Sequence, residues 1–181
     1  ERTNPHALFP TSSYRESTGS VISENDDQTV EAVMSHHTFT SIRIEEDIFN
    51  NKNNTLKNIY RPLGRCICLI DSNVELHYRD RIESYFKTHD IPIYLNVYRA
   101  MEVDKTLAVV ERMLNDFKQH AVARNEPVLI IGGGVLADTG GLACALFNRN
   151  TPYIMVGSSI VSAIDAGPSP ITCCDGLGYK N

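Results

Sequence analysis

Apolar residues in this chain come in short runs whose spacing switches between that of a strand and that of a helix. Arg65-Cys-Ile-Cys-Leu-Ile70 is nearly continuous in apolar character, as a parallel strand covered on both faces must be. Beyond Asp71-Ser72-Asn73, the residues Ile82, Tyr85 and Phe86 share a face at helical spacing, which predicts a helix to about Thr88. Asp90-Ile-Pro turns the chain into a second strand, Ile93-Tyr-Leu-Asn-Val97. Leu107, Val110, Leu114 and Phe117 then recur at steps of three and four, giving an amphipathic helix between Asp104 and His120. A third strand, Pro127-Val-Leu-Ile-Ile131, runs into Gly132-Gly133-Gly134 and a helix start at Val135-Leu-Ala-Asp138. After the helix that contains Cys144 and Phe147, the turn Arg149-Asn-Thr-Pro152 leads to a fourth strand, Tyr153-Ile-Met-Val156. Strands and helices in strict alternation predict an α/β fold, a Rossmann-like parallel sheet with flanking helices, whose ligands bind outside the carboxyl ends of the strands.

Upstream of this alternation the pattern is weak. Residues 1–35 are rich in Ser, Thr, Asn, Glu and Asp, and are expected to form a flexible arm, with the folded domain over 36–181. Thr38-Phe-Thr-Ser-Ile-Arg-Ile-Glu45 alternates and predicts a peripheral strand, followed by a polar turn at Asn50 to Asn54.

Composition narrows the function. A chain of 181 residues suggests one domain, and 42% apolar with 22% charged residues is the balance of an ordinary globular protein. A net charge of −5 gives no general attraction to nucleic acid or to an anionic membrane, so an anionic ligand must be held locally. No apolar run approaches the roughly 20 residues of a membrane span, and the N-terminus lacks a signal-peptide layout, so a cytoplasmic protein is the expectation. The opening residue is Glu1 rather than Met, which fits a processed form or a piece of a longer polypeptide. The five cysteines, Cys66, Cys68, Cys144, Cys173 and Cys174, suit reduced thiols and lack zinc-ligand spacing. The six histidines, at 6, 36, 37, 77, 89 and 120, form no metal-binding pattern either.

The chemistry concentrates at strand ends. A strand that stops on three glycines exposes backbone N–H groups at a helix N-terminus, where unpaired amides and the helix dipole both favour a pyrophosphate; a turn needed only for packing is the alternative. Asp71 and Asn73 suit ribose hydroxyls, or equally a helix N-cap. The hydroxyls of Ser158 and Ser159, after Gly157, suit a phosphate or a nicotinamide amide.

From Arg65 to Asn181 the chain resembles the N-terminal, NAD-binding half of the sugar phosphate cyclases, the group headed by 3-dehydroquinate synthase. Gly132-Gly-Gly-Val-Leu-Ala-Asp138 is the most specific piece. Glu102-Val-Asp-Lys105-Thr106 resembles the family's Glu-x-x-Lys element, and Gly157-Ser158-Ser159 through Asp165 resembles its Pro-Thr-Thr segment. The Glu-x-Asp-Lys-Thr element, the Arg149-Asn-Thr-Pro-Tyr153 turn and the Ala-Cys-Ala helix are most similar to cyclases that use sedoheptulose 7-phosphate, such as 2-epi-5-epi-valiolone synthase and desmethyl-4-deoxygadusol synthase.

The resemblance implies NAD as cofactor, with Gly133, Gly134 and Val135 along the pyrophosphate. It implies Asp138, Ser158 and Ser159 on the nicotinamide side, and Asp71, Asn73, Glu102 and Lys105 at the adenosine. Asp165, Lys180 and Asn181 would form the catalytic, substrate-facing set. Arg149 would reach a substrate phosphate across a homodimer interface, as a guanidinium suits bidentate phosphate binding. Zinc or another divalent metal is expected only in a C-terminal helical domain beyond this chain, held there by a glutamate and two histidines, so the chain alone would bind cofactor without turnover. Ile171 departs from the family, whose dehydroquinate synthases carry lysine at that place. The alternatives are a 3-dehydroquinate synthase acting on a heptulosonate phosphate, a non-catalytic nucleotide-binding module, and a relative of the iron-dependent alcohol dehydrogenases.

Overall fold

The computed structural model describes residues 18–26, 29–35 and 41–166, in two compact units, Glu1–Ile42 and Arg43–Asn181. In the first unit β1 (Thr18–Asp26) and β2 (Thr29–Ser35) pair antiparallel from Thr18 with Ser35 to Asp26 with Thr29, with irregularities between Val21 and Ser23 and between Glu24 and Asp26. The stretch expected as a flexible arm therefore holds a two-stranded ladder. Each residue here carries a backbone donor and acceptor whatever its side chain, and two adjacent stretches can satisfy them mutually. The peripheral strand expected over 38–45 is not formed in its described part. Residues 41–45 have no regular structure and Ile42 and Ile44 are exposed, while 36–40 lie outside the described residues. Alternation makes a strand only where a neighbouring edge accepts its backbone groups.

The second unit is built on β3 (Cys66–Asp71), β4 (Ile93–Tyr98), β5 (Val128–Gly132) and β6 (Tyr153–Gly157), all parallel, in the order β4-β3-β5-β6. The helices are α1 (Thr55–Tyr60), α2 (Ser72–Thr88), α3 (Leu107–Gln119) and α4 (Gly134–Leu146). The chain passes from β3 outward to β4, then returns through α3 to lay β5 on the other side of β3. The strand order thus reverses between the carboxyl ends of β3 and β5, where open α/β sheets form their ligand crevice.

The continuous apolar runs of β3 and β5 are explained by burial on both faces. Ile67, Leu69, Val128 and Ile130 pack with Val110, Met113 and Phe117 of α3 and Leu136, Ala143 and Cys144 of α4. Cys66, Cys68, Ile70, Leu129 and Ile131 pack on the other side with Leu56 and Tyr60 of α1 and Ile82, Tyr85 and Phe86 of α2. Each such large side chain contributes about 1.5–3 kcal/mol relative to exposure. Helix α1 carries no periodicity long enough to show in the sequence, because six residues give only one buried face. The Tyr85 hydroxyl ties it down, donating to Asn53 O at 2.8 Å and accepting from Lys57 N at 3.1 Å.

Away from the crevice, Arg65 donates to both carboxylate oxygens of Glu126 at 2.7 and 2.8 Å. Burial alone would raise the Glu126 pKa, but Arg65 and the Ala123 N–H outweigh it and hold the carboxyl below its ordinary value. At the end of α2, buried His89 lies edge-on to Tyr85 with ring centroids 4.6 Å apart, and its Nε2 has no hydrogen-bond partner among the described residues. Burial lowers its pKa, Lys57 and Arg61 lower it further, and Asp90 opposes them. An unfolded histidine titrates near ~6.5, so below that pH the unfolded chain binds more protons than the folded one. The His89 contribution is therefore fully present above about pH 6.5 and declines as pH falls toward the depressed folded value. The urea midpoint is expected to drop between about pH 7.5 and about pH 5.5, and to drop less in His89→Gln. An equal drop in both proteins would assign the acid sensitivity elsewhere.

Candidate functional site

All four strand ends meet at one edge of the sheet: Asp71 pairs with Tyr98, Ile70 with Ile131, and Gly132 with Gly157. A Cβ on Gly132 would stand 3.2 Å from the Asp71 Cβ and 2.8 Å from a Leu136 methyl, so β3 and the first turn of α4 crowd this strand end and favour glycine there. Gly133 differs. Its backbone is extended (φ −86°, ψ −173°), it is the N-cap of α4 without any side-chain cap, and a Cβ there would meet nothing within 4 Å. The opening amides of α4, Gly134, Val135 and Leu136, have no intrahelical acceptors, and no acid lies in the first turn. This open, uncapped, positive helix end fits the pyrophosphate of a dinucleotide.

Asp71 is buried, and its Oδ1 accepts from Asn73 N at 2.9 Å, so it caps α2; Asn73 is exposed beside it. On the other side of the crevice, Arg99 donates to both oxygens of Asp104 at 2.8 and 2.6 Å, and Met101 N donates to the same carboxylate at 3.2 Å. The Arg99 guanidinium holds the Asp104 carboxyl below its usual range. This clasp fixes the single 3-10 turn Glu102–Asp104 and delivers Lys105 inward, where Nζ lies 2.5 Å from Asp138 Oδ2 and 4.0 Å from Glu102 Oε1. Lys105 and Asp138 are each 9% exposed, while Glu102 is exposed. Two motifs more than thirty positions apart in the chain thus meet in one buried ion pair, one turn into α4. The resemblance sends Lys105 toward the adenosine and Asp138 toward the nicotinamide, and the structure brings the two side chains into contact with each other.

The end of β6 completes the rim. Ser158 N donates to Gly132 O at 2.9 Å, and the turn that follows brings Ala166 Cβ within 3.7 Å of the position a Gly134 Cβ would take. Ser158, Ser159 and Asp165 are all exposed there. Ser162, fully buried, bonds repeatedly to Ser159; the only sequence sign of it is the Ser-x-x-Ser spacing of a capping turn.

Arg149 is not brought to this crevice. It follows α4, whose thirteen residues carry the chain about 20 Å from the glycine turn. It is exposed at φ 59°, between Asn148 at φ 49° and Asn150 at φ 83°. Three consecutive non-glycine residues in the left-handed region cost on the order of 1 kcal/mol each or more, and the turn is pinned by Asn148 Nδ2 donating to Val122 O and Thr151 N donating to Cys144 O. Lys180, Asn181 and Ile171 lie outside the described residues.

Among the described residues no group of three His, Cys, Asp or Glu side chains could hold a metal. Cys66, Cys68 and Cys144 are free and buried; burial raises all three thiols, that of Cys144 to about 12, which leaves them poor ligands and nucleophiles. No helix among the described residues is long and apolar enough to cross a membrane.

Residues 96–181 match the family described as 3-dehydroquinate synthase N-terminal. The chain is 35% identical over 121 residues to demethyl-4-deoxygadusol synthase of Trichormus variabilis, an alignment covering 67% of this chain and 30% of that protein. The chain belongs to the sugar phosphate cyclases related to 3-dehydroquinate synthase. A second cyclase, the 2-epi-5-epi-valiolone synthase of Streptomyces albus, is 36% identical over 119 residues, 65% of this chain and 29% of its own length. The solved 2-epi-5-epi-valiolone synthase of Streptomyces hygroscopicus subsp. jinggangensis, with NAD+ and Zn2+ bound, superimposes at a TM-score of 0.72 and 29% identity over 81% of this chain and 41% of that one. The chain therefore spans about 30% of the length of the curated relatives it matches. The parallel sheet and the family expected from its motifs are both found.

Proposed function

We propose that this chain is the NAD-binding part of a cytoplasmic sugar phosphate cyclase that closes sedoheptulose 7-phosphate into a cyclitol by phosphate elimination and intramolecular aldol addition. The observation that carries the reading is the buried Lys105–Asp138 pair beside the uncapped glycine turn, which unites two separate family motifs at the switch point of the sheet. Bound NAD would supply reversible hydride transfer at a carbinol of the sugar. The α4 amides of Gly134 and Val135, with Gly133 before them, hold the pyrophosphate. Asp71, Asn73 and Glu102 serve the adenosine side, and Lys105 neutralises Asp138 so that a buried carboxylate can stand beside an anionic cofactor. Ser158 and Ser159 take the nicotinamide side.

Asp165, Lys180 and Asn181 serve the substrate. The roughly 20 Å between Arg149 and the glycine turn supports a role for that guanidinium in the crevice of a second copy, on the substrate phosphate. Similarity to demethyl-4-deoxygadusol and 2-epi-5-epi-valiolone synthases at 35% and 36% identity, against 26% and 28% for two 3-dehydroquinate synthases, supports sedoheptulose 7-phosphate over a heptulosonate phosphate. Calorimetric titration of the chain with NAD is expected to show micromolar binding. A folded chain that binds no NAD would overturn this reading.

A further inference from the structure

Ser162 is 0% exposed, yet it carries a hydroxyl, and every hydrogen bond recorded for that hydroxyl goes to one residue, Ser159. Ser162 Oγ lies 2.9 Å from Ser159 O, 3.1 Å from Ser159 N and 3.1 Å from Ser159 Oγ. The direction of each bond follows from valence. A carbonyl oxygen only accepts, so the Ser162 hydrogen goes to Ser159 O. The Oγ–Oγ contact then has one hydrogen left to use, that of Ser159, which is donated to Ser162. Ser162 N in turn donates to Ser159 Oγ at 3.2 Å. The Ser159 hydroxyl has thus spent its hydrogen inward and keeps a lone pair, and no donor, for anything outside.

The arrangement is held from behind. A Cβ on Gly157 would stand 2.9 Å from Ser162 Oγ and from Ala163 N, so the turn after β6 packs directly on the Gly157 backbone and Ser162 cannot swing away. Ser158 N is meanwhile tied to Gly132 O, which keeps this serine pair against the glycine turn.

We propose that Ser162 is a positioning residue that fixes Ser159 as a hydrogen-bond acceptor at the nicotinamide end of the crevice, so that the site selects the carboxamide of NAD over the carboxylate of its acid analogue. The proposal rests on the cofactor reading given above. A carboxamide offers N–H hydrogens to the Ser159 lone pair; a carboxylate offers only oxygens and a negative charge, and meets an acceptor it cannot bond.

Calorimetry on the full 181-residue chain with three probes tests it: NAD, nicotinic acid adenine dinucleotide, and adenosine diphosphoribose, which lacks the nicotinamide. The wild type is expected to bind NAD about tenfold or more tighter than the acid form. In Ser162→Ala the Ser159 hydroxyl regains a free hydrogen, and the preference should fall to about threefold or less, with adenosine diphosphoribose binding unchanged. A wild type that binds both dinucleotides equally, a preference that survives Ser162→Ala, or a parallel loss for adenosine diphosphoribose would each overturn the positioning role while NAD binding itself stands. A wild type that binds none of the three removes the cofactor reading and this inference together. Should Ser162→Ala unfold, Ser162→Cys keeps the volume with weaker hydrogen bonds and must still lower the preference; an undiminished preference in that variant overturns the proposal.

Discussion

Gly133→Asp is expected to abolish detectable NAD binding and at the same time raise the melting temperature of the chain. The two effects have opposite signs because one set of amides serves both. Position 133 has extended backbone that any residue adopts, and a Cβ there meets open space, so the substitution introduces no strain or clash. As N-cap, an aspartate accepts from the free amides of Val135 or Leu136 and complements the helix dipole, a gain of about 0.5–1 kcal/mol over glycine. The same carboxylate occupies the amides and places a negative charge where the pyrophosphate would lie, which should weaken NAD by about 100-fold or more, equivalent to ~2.7 kcal/mol. Calorimetry and thermal unfolding of the same sample read both effects. Undiminished affinity in a stabilised variant would mean that the glycine turn serves packing alone.

The second large effect is expected at the Lys105–Asp138 pair. Both groups are buried, and at 2.5 Å each compensates the desolvation of the other. Removing one takes from the other its buried partner at 2.5 Å, so Lys105→Met and Asp138→Leu should each lower stability by roughly 3 kcal/mol. The double variant should cost clearly less than the sum, because it removes both buried charges together, and the coupling read from the cycle should lie in the range of about 1–3 kcal/mol. Glu102, at 4.0 Å from Lys105 and exposed, should contribute no more than about 0.5 kcal/mol to stability. Urea unfolding of the four proteins decides it. Single variants that cost little and add without coupling would show the pair to be a surface-type contact with no role in holding the 99–105 loop to α4.

Much of the second unit could be read from residue patterns. The four parallel strands lie within a residue or two of their apolar runs: central β3 and β5 are buried on both faces and so are apolar throughout, while edge strands β4 and β6 are only partly covered, and α3 follows its three-and-four spacing because one face alone is covered. Where no such constraint acts, the pattern was silent or misleading. The β1–β2 ladder is made by backbone groups, which the short mixed side-chain pattern of those two stretches does not report. Residues 41–45 alternate yet form no strand among the described residues. Six residues of α1 are too few to display a period.

The parallel α/β sheet, the crevice at its carboxyl edge, the family and the residue types able to hold a dinucleotide there were all legible in the residues alone, because burial and backbone geometry are local demands written into composition and spacing. That Lys105 reaches Asp138, that Arg149 stands at the far end of α4 from the glycine turn, and that buried Ser162 bonds the hydroxyl of Ser159 came from the folded arrangement. Those are distances between side chains on different elements or successive turns, and they follow from how the helices and loops seat on the sheet, which no single stretch of residues encodes.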